Sequence, residues 1–188
     1  MGLTLEDRRA LIHIARTAIA SALEGKKLVP IKQGSDALQQ RSGVFVTLKI
    51  GSELRGCIGY VEPLFPLAQA TQDVAVKAAM EDPRFDSLSR EEFEKIQIEI
   101  SVLSPITELK DIDTIEIGNH GLVIELGNRR GLLLPQVAEE YGWDRKQFLS
   151  QTSIKAGLPS DAWKRKEAKL SSFSVEKFDE SHVMKKTT

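Results

Sequence analysis

The sequence predicts an α+β fold with mainly antiparallel pairing, and three observations predict it. Several short runs alternate apolar and polar residues with a period of two, the mark of a half-buried strand. Other runs repeat their apolar residues at helical spacing. The two kinds of run are mixed along the chain instead of alternating regularly, and tight turn signals such as Gly51-Ser52 join neighbouring strands.

The N-terminal helix opens on Thr4, with Asp7 three residues later as a capping signal. Leu11, Ile12, Ala15, Ala18, Ile19 and Ala22 line one face, and Gly25 suits the position just past the end. His13 falls on the opposite face beside Arg9 and Arg16, which makes it a solvated histidine. Residues 43–61 read as a β-hairpin, with Val44, Val46, Leu48 and Ile50 alternating against Phe45, Thr47 and Lys49. A two-residue loop would set Val46 opposite Cys57 and Leu48 opposite Arg55. A shift of one residue would move Cys57 to the other face.

Pro63 and Pro66 open a second helix whose face of Leu67, Thr71, Val74, Ala75 and Ala78 is small enough to pack closely on a sheet. Asp82-Pro83 ends it. Ser89 and Glu92 form a capping box for a short helix. Ile96, Ile98, Ile100 and Val102 then mark a clean strand that stops at Ser104-Pro105. Residues 115–134 read as three short strands separated by Gly118–Gly121 and Gly127–Gly131. Pro135 starts a helix, Asp144 with Gln147 caps another that ends at Gly157, and Leu170–Phe178 is a last strand. Nothing patterned follows, so residues 179–188 are expected to be a disordered tail.

Composition narrows the function classes. The chain has 188 residues, 26 basic and 27 acidic side chains, a formal charge of −1 and one cysteine. One cysteine excludes an internal disulfide and a Cys-x-x-Cys knuckle, and favours a reducing, cytoplasmic setting. No apolar run reaches the roughly 20 residues of a membrane span, and the first residues lack the apolar core of a signal peptide. A soluble protein is expected. The balanced charge gives no general field for nucleic acid. Lys164-Arg165-Lys166 is a short basic run without interleaved aromatics, so nucleic acid is an unlikely partner on this reading. The three histidines are scattered and supply no metal-binding spacing, and no glycine-rich phosphate loop is present. No metal is expected, and the cofactor is unknown.

Leu54-Arg55-Gly56-Cys57-Ile58-Gly59 is the most unusual stretch. Glycines inside a strand weaken it and mark a bulge or a close approach by another backbone or ligand. Arg55, two residues before Cys57, would share its face and favour a thiolate. A buried, inert cysteine is the competing reading. His120, in a turn between Asn119 and Gly121, is the candidate base for Cys57. Arg84, Arg129-Arg130 and Lys155 are candidates for an anion site, each with a plain alternative as a turn or helix-end charge.

The hexapeptide resembles the signature of the AMMECR family, named for the Alport syndrome, midface hypoplasia and elliptocytosis chromosomal region. The resemblance extends to Asp82-Pro83-Arg84-Phe85, Ile98–Leu103, His120-Gly121-Leu122, Leu133–Val137 and Lys155-Ala156-Gly157-Leu158, in the family's order, and covers residues 5–178. It implies one α+β domain with two lobes of unequal size, and no established reaction. It also implies the A component of a prokaryotic system with Memo-like and radical SAM proteins as partners. Carried over by motif, Arg55, Gly56, Cys57 and Gly59 lead the site candidates, followed by Arg84, His120 and Gln136. Where family members often carry a second cysteine, this chain has Ser153. Any thiol chemistry here is therefore single-cysteine chemistry. Two function classes stand on these residues: a thiol-dependent enzyme with catalytic Cys57 and His120, or a non-catalytic module binding a protein or small ligand between lobes. A nucleic-acid adaptor is a weaker third.

Overall fold

The computed structural model describes residues 2–31 and 34–184. The chain forms two compact units, Met1–Leu103 with Glu176–Thr188, and Ser104–Val175. Both follow the α+β, antiparallel plan.

In the first unit, α1 (Leu5–Leu23) begins at a complete capping box between Thr4 and Asp7. Gly25 follows its end in the left-handed region, at φ 67°. A short α2 (Asp36–Gln39) precedes the hairpin of β1 (Val44–Ile50) and β2 (Glu53–Tyr60). Then come α3 (Leu67–Met80), α4 (Arg90–Phe93) and β3 (Ile96–Leu103). The three strands lie in the order β2-β1-β3, all antiparallel. Helices α1 and α3 pack on each other and on this sheet. Val46 and Leu48 of β1 and Ile98 and Ile100 of β3 meet Leu11, Ile12, Val74 and Ala75 in a fully buried core. Alanines at positions 70, 75, 78 and 79 keep α3 slim on its buried side, so its backbone sits close to the strands.

The hairpin loop is indeed Gly51-Ser52, with Ile50 opposite Glu53, but the predicted register fails by one residue. A bulge between Leu48 and Lys49 pairs Lys49 with Leu54 and Leu48 with Gly56, leaving Arg55 as the extra residue. Cys57 therefore faces Thr47, and Ile58 faces Val46. The bulge turns Gly56 toward α3 and Cys57 away from the core face of β1. A Cβ on Gly56 would land inside the Ala78 carbonyl oxygen, and one on Gly59 would enter the Phe45 ring. Both glycines are thus accounted for by packing within the unit.

The second unit holds β4 (Thr107–Glu108), β5 (His120–Leu126), β6 (Arg129–Leu133), α5 (Pro135–Glu140), α6 (Arg145–Lys155) and the first part of β7 (Lys169–Asp179). Its strands run β6-β5-β7-β4, each pair antiparallel. Ile115, Leu122, Ala138, Phe148 and Leu149 form its core. The third strand expected near Ile115 is absent. A 3-10 turn at Ile112–Thr114 and a turn at Glu116–Asn119 stand there instead. Ile115 is buried from a turn, which is why its hydrophobicity imitates a strand.

The tail expectation is corrected at its start. Asp179 accepts the His182 N–H and caps α7 (Glu180–Val183), whose Val183 is buried against the first unit's core. Residues 185–188 lie outside the described residues. Among the described residues no helix is long and apolar enough to cross a membrane.

Because the Ala78 carbonyl occupies the space a side chain would need, Gly56→Ala should destabilise the protein by roughly 2–3 kcal/mol. Urea denaturation checks this through a lowered midpoint at unchanged slope. An unchanged midpoint would show that α3 yields freely at this contact.

Candidate functional site: a clamped cysteine at a strand edge

Strand β2 is the outer strand of the first unit, so its outward backbone groups need partners other than a strand. At Cys57 they have them. Its N–H donates to Asp82 Oδ2 at 2.8 Å, and its C=O accepts from Arg84 Nη2 at 3.3 Å. Both groups point outward, so Cys57 and Thr47 form a non-hydrogen-bonded pair, the kind that brings side chains closest. Thr47 Oγ1 accordingly lies 3.2 Å from Cys57 Sγ. The thiol is free, and Cys57 as a residue is half-buried.

Asp82 organises this arrangement. It follows the last turn of α3, where Pro83 prevents the helix from continuing. Its residue is 4% exposed, yet its carboxylate accepts from four donors. These are the Cys57 N–H, the Arg84 N–H at 3.1 Å, Arg84 Nε at 2.9 Å and Arg84 Nη2 at 2.7 Å. The hydrogen bonds from Arg84 hold the Asp82 carboxyl far below the usual carboxylate range, opposed by burial and helped by the two backbone N–H groups. The Arg84 side chain is 53% exposed, so one end is fixed on a buried anion and the other meets solvent. Its pKa is raised, chiefly by the Asp82 hydrogen bond and against the opposing effect of burial.

Arg55 does not serve the thiol as the sequence suggests. It donates to both oxygens of Glu92, at 2.7 and 3.0 Å, and to the Asp86 carbonyl at 2.9 Å. The Arg55 hydrogen bond lowers the Glu92 carboxyl to about 2, and Glu92 also completes the capping box of α4 with Ser89. The bulge causes this difference, since it removes Arg55 from the regular alternation that would have set it beside Cys57. The guanidinium carbons of Arg55 and Arg84 lie 5.7 and 5.5 Å from the centre of the Phe85 ring. With Asp86, Ser87 and Glu92 these three residues line an open pocket of about 410 Å³.

The remaining candidates belong to the second unit. His120 opens β5 opposite Ser174, and its Nδ1 accepts the Glu116 N–H at 3.1 Å. In the neutral ring the proton then sits on Nε2, and the basic lone pair is already engaged. Gly118, at φ 85°, makes that turn possible. Gln136 is exposed in the first turn of α5. Ser153 is fully buried, its hydroxyl donating to the Leu149 carbonyl at 3.0 Å. The structure thus brings Cys57, Arg84, Gly56 and Gly59 into one neighbourhood of the first unit, with Arg55 engaged across the Phe85 ring. Sequence reasoning missed Asp82 and Thr47. The sequence signal for Asp82 is an acid at a proline-terminated helix end with an arginine two residues on. Among the described residues, no three His, Cys, Asp or Glu side chains are placed to hold a metal ion.

These features define a class: an antiparallel α+β domain that presents one free thiol on a strand edge clamped by a buried aspartate–arginine pair. Comparisons with known proteins give the class its family. The family model described as AMMECR1 matches residues 12–178. A protein of Aquifex aeolicus is 47% identical over 181 residues, covering 93% of each chain. A protein of Methanopyrus kandleri is 44% identical over 187 residues, covering 95% of this chain and 90% of its own. The crystal structure of an uncharacterized protein from Pyrococcus horikoshii, 40% identical, superposes with a TM-score of 0.77 over 90% of this chain and 89% of that one. The chain belongs to the AMMECR1 family.

The depressed carboxyl of Asp82 has a consequence for acid stability. A folded-state pKa below the unfolded value, about 3.9, contributes stability that is present above that value and lost as pH falls through the folded one. Asp82→Asn should cost roughly 2–3 kcal/mol at pH 7 and much less at low pH, so the variant's urea midpoint should approach the wild type's on acidification. A pH-independent gap between the two would contradict the role given to this carboxylate.

Proposed function

We propose that the protein is a thiol-dependent enzyme whose reactive group is Cys57 and whose substrate-facing cation is Arg84. One observation carries this reading: a free, half-buried cysteine sits on outer-strand backbone whose outward N–H and C=O are both held by a single ion pair with an exposed cationic end. A thiolate is the nucleophilic form of cysteine, and a nearby guanidinium stabilises it. Asp82 fixes Arg84 through Nε and Nη2, so the opposite edge of the guanidinium is the part presented to an anionic substrate group. Thr47 holds the sulfur from the facing strand. His120 is assigned no step, because its Nδ1 lone pair already closes a turn of its own unit. A cytoplasmic place in a pathway with Memo-like and radical SAM proteins is part of this reading, supported by the family resemblance alone.

A second reading has its own observation. The pocket at Arg55, Arg84 and Phe85 does not include Cys57 in its lining. This favours a ligand-binding module in which the cysteine is only a packed strand residue. In that case Cys57→Ser retains ligand and Arg84→Gln loses it.

The test compares alkylation of Cys57 by iodoacetate, which is anionic, and iodoacetamide, which is neutral, each normalised to a free thiol. The proposed enzyme favours iodoacetate by about tenfold, the effect of a single oriented charge worth ~1.4 kcal/mol. Arg84→Gln should abolish the preference. With no other thiol in the chain, the signal belongs to Cys57 alone. Equal preference in wild type and variant sinks the role of Arg84.

A further inference from the structure

The balanced charge of the whole chain conceals an asymmetry in the second unit. From Arg145 to Lys166 the sequence carries six basic residues and one acid, Asp161. Helix α6 contains no acid at all. Its inward face is Phe148, Leu149, Thr152 and Ser153, all buried. At 100° per residue, its outward centre is Gln147, Ser150, Gln151 and Ile154, flanked by Lys146 and Lys155.

The basic run after α6 is held against the helix. Trp163, in the 3-10 turn Ala162–Lys164, donates its Nε1 hydrogen to Ser150 Oγ at 3.3 Å, and Lys164 Nζ lies 5.3 Å from the same ring. Lys164, Arg165 and Lys166 are all exposed. Just past the helix's C-terminal end, Arg129, the first residue of β6, donates to the Gly157 carbonyl, which brings another exposed cation beside Lys155. The fold therefore gathers cations from a helix, a 3-10 turn and the start of β6 around an outward surface of Gln147, Ser150, Gln151 and the exposed Ile154.

We infer that this surface, α6 with Arg129 and Lys164–Lys166, binds the phosphate backbone of nucleic acid. Cations neutralise phosphates and release counterions, while amide and hydroxyl side chains hydrogen-bond to phosphate or base edges. An acidic protein would meet the same cations. The acid-free helix face, about 16 Å long, carries two amides, Gln147 and Gln151, and a single exposed apolar side chain, Ile154, so cations dominate it and no cluster of apolar anchors is present. The inference is independent of the thiol chemistry proposed above and revises the expectation drawn from net charge and from the basic run in isolation.

The experiment is fluorescence anisotropy of the full chain with a labelled mixed-sequence duplex of roughly 20 base pairs, at several salt concentrations. If about four phosphates are neutralised, affinity should fall on the order of 100-fold between about 50 and 200 mM salt. The triple variant Lys155→Gln, Lys164→Gln, Lys166→Gln should weaken binding at low salt at least about tenfold and flatten the salt slope by nearly three units. The same charge change at Lys26, Lys27 and Lys95, exposed in the first unit, should leave both unaltered. Circular dichroism confirms that the variants fold, as expected for exposed lysines. The inference is overturned if the duplex shows no salt-dependent binding, if the control variant weakens binding equally, or if poly-L-glutamate competes as well as unlabelled duplex.

Discussion

A buried carboxylate, Asp82, is the constraint on which the site depends. An ionised acid at this depth is stable only if its lone pairs are filled by donors. Asp82 fills them with two backbone N–H groups and two guanidinium nitrogens. One bond closes the turn after α3, a second secures the edge of β2 at Cys57, and the pair to Arg84 fixes a half-exposed cation. Removing the carboxylate would release all three at once, which ties the integrity of the first unit to the placement of its only thiol.

The strand edge shows how packing and chemistry meet. A free outer strand invites pairing with another chain. Here the outward groups of Cys57 are taken by side chains from the α3–α4 connection. This works because α3 ends close to β2, and α3 approaches closely because its inner face is alanine and Gly56 leaves room for the Ala78 carbonyl. The bulge at Arg55 then sets Gly56 toward the helix and Cys57 away from it. One inserted residue decides which side of the sheet the thiol occupies.

Much of the fold is legible in the sequence, because caps and periodicity act locally. The boxes at Thr4, Ser89 and Asp144, the proline-started helices and the alternation of β1 and β3 all stand as read. What escapes is governed by contacts distant in sequence. Nothing local distinguishes a regular hairpin from one bulged at Arg55, so the register is misread by one residue. Arg55 finds Glu92, 37 positions away, instead of the neighbouring thiol. Asp82 reaches Cys57 across 25 positions, and no spacing within the hexapeptide announces it. The short elements α2, β4 and α7 escape because a turn or two of helix, or a two-residue strand, leaves no period to detect. The candidate site is legible as a place, the glycine-flanked cysteine and Arg84, but not as a set of partners.

Hydrogen exchange at the Cys57 amide tests the central claim most directly. An outward N–H on an outer strand exchanges readily if water is its partner, whereas one donated to a buried carboxylate exchanges only when the strand opens. The account predicts that the Cys57 amide is protected to the level of Val46 on the central strand β1. Exchange of Cys57 as fast as a solvent-facing loop amide, with the core amides still protected, would contradict the aspartate clamp.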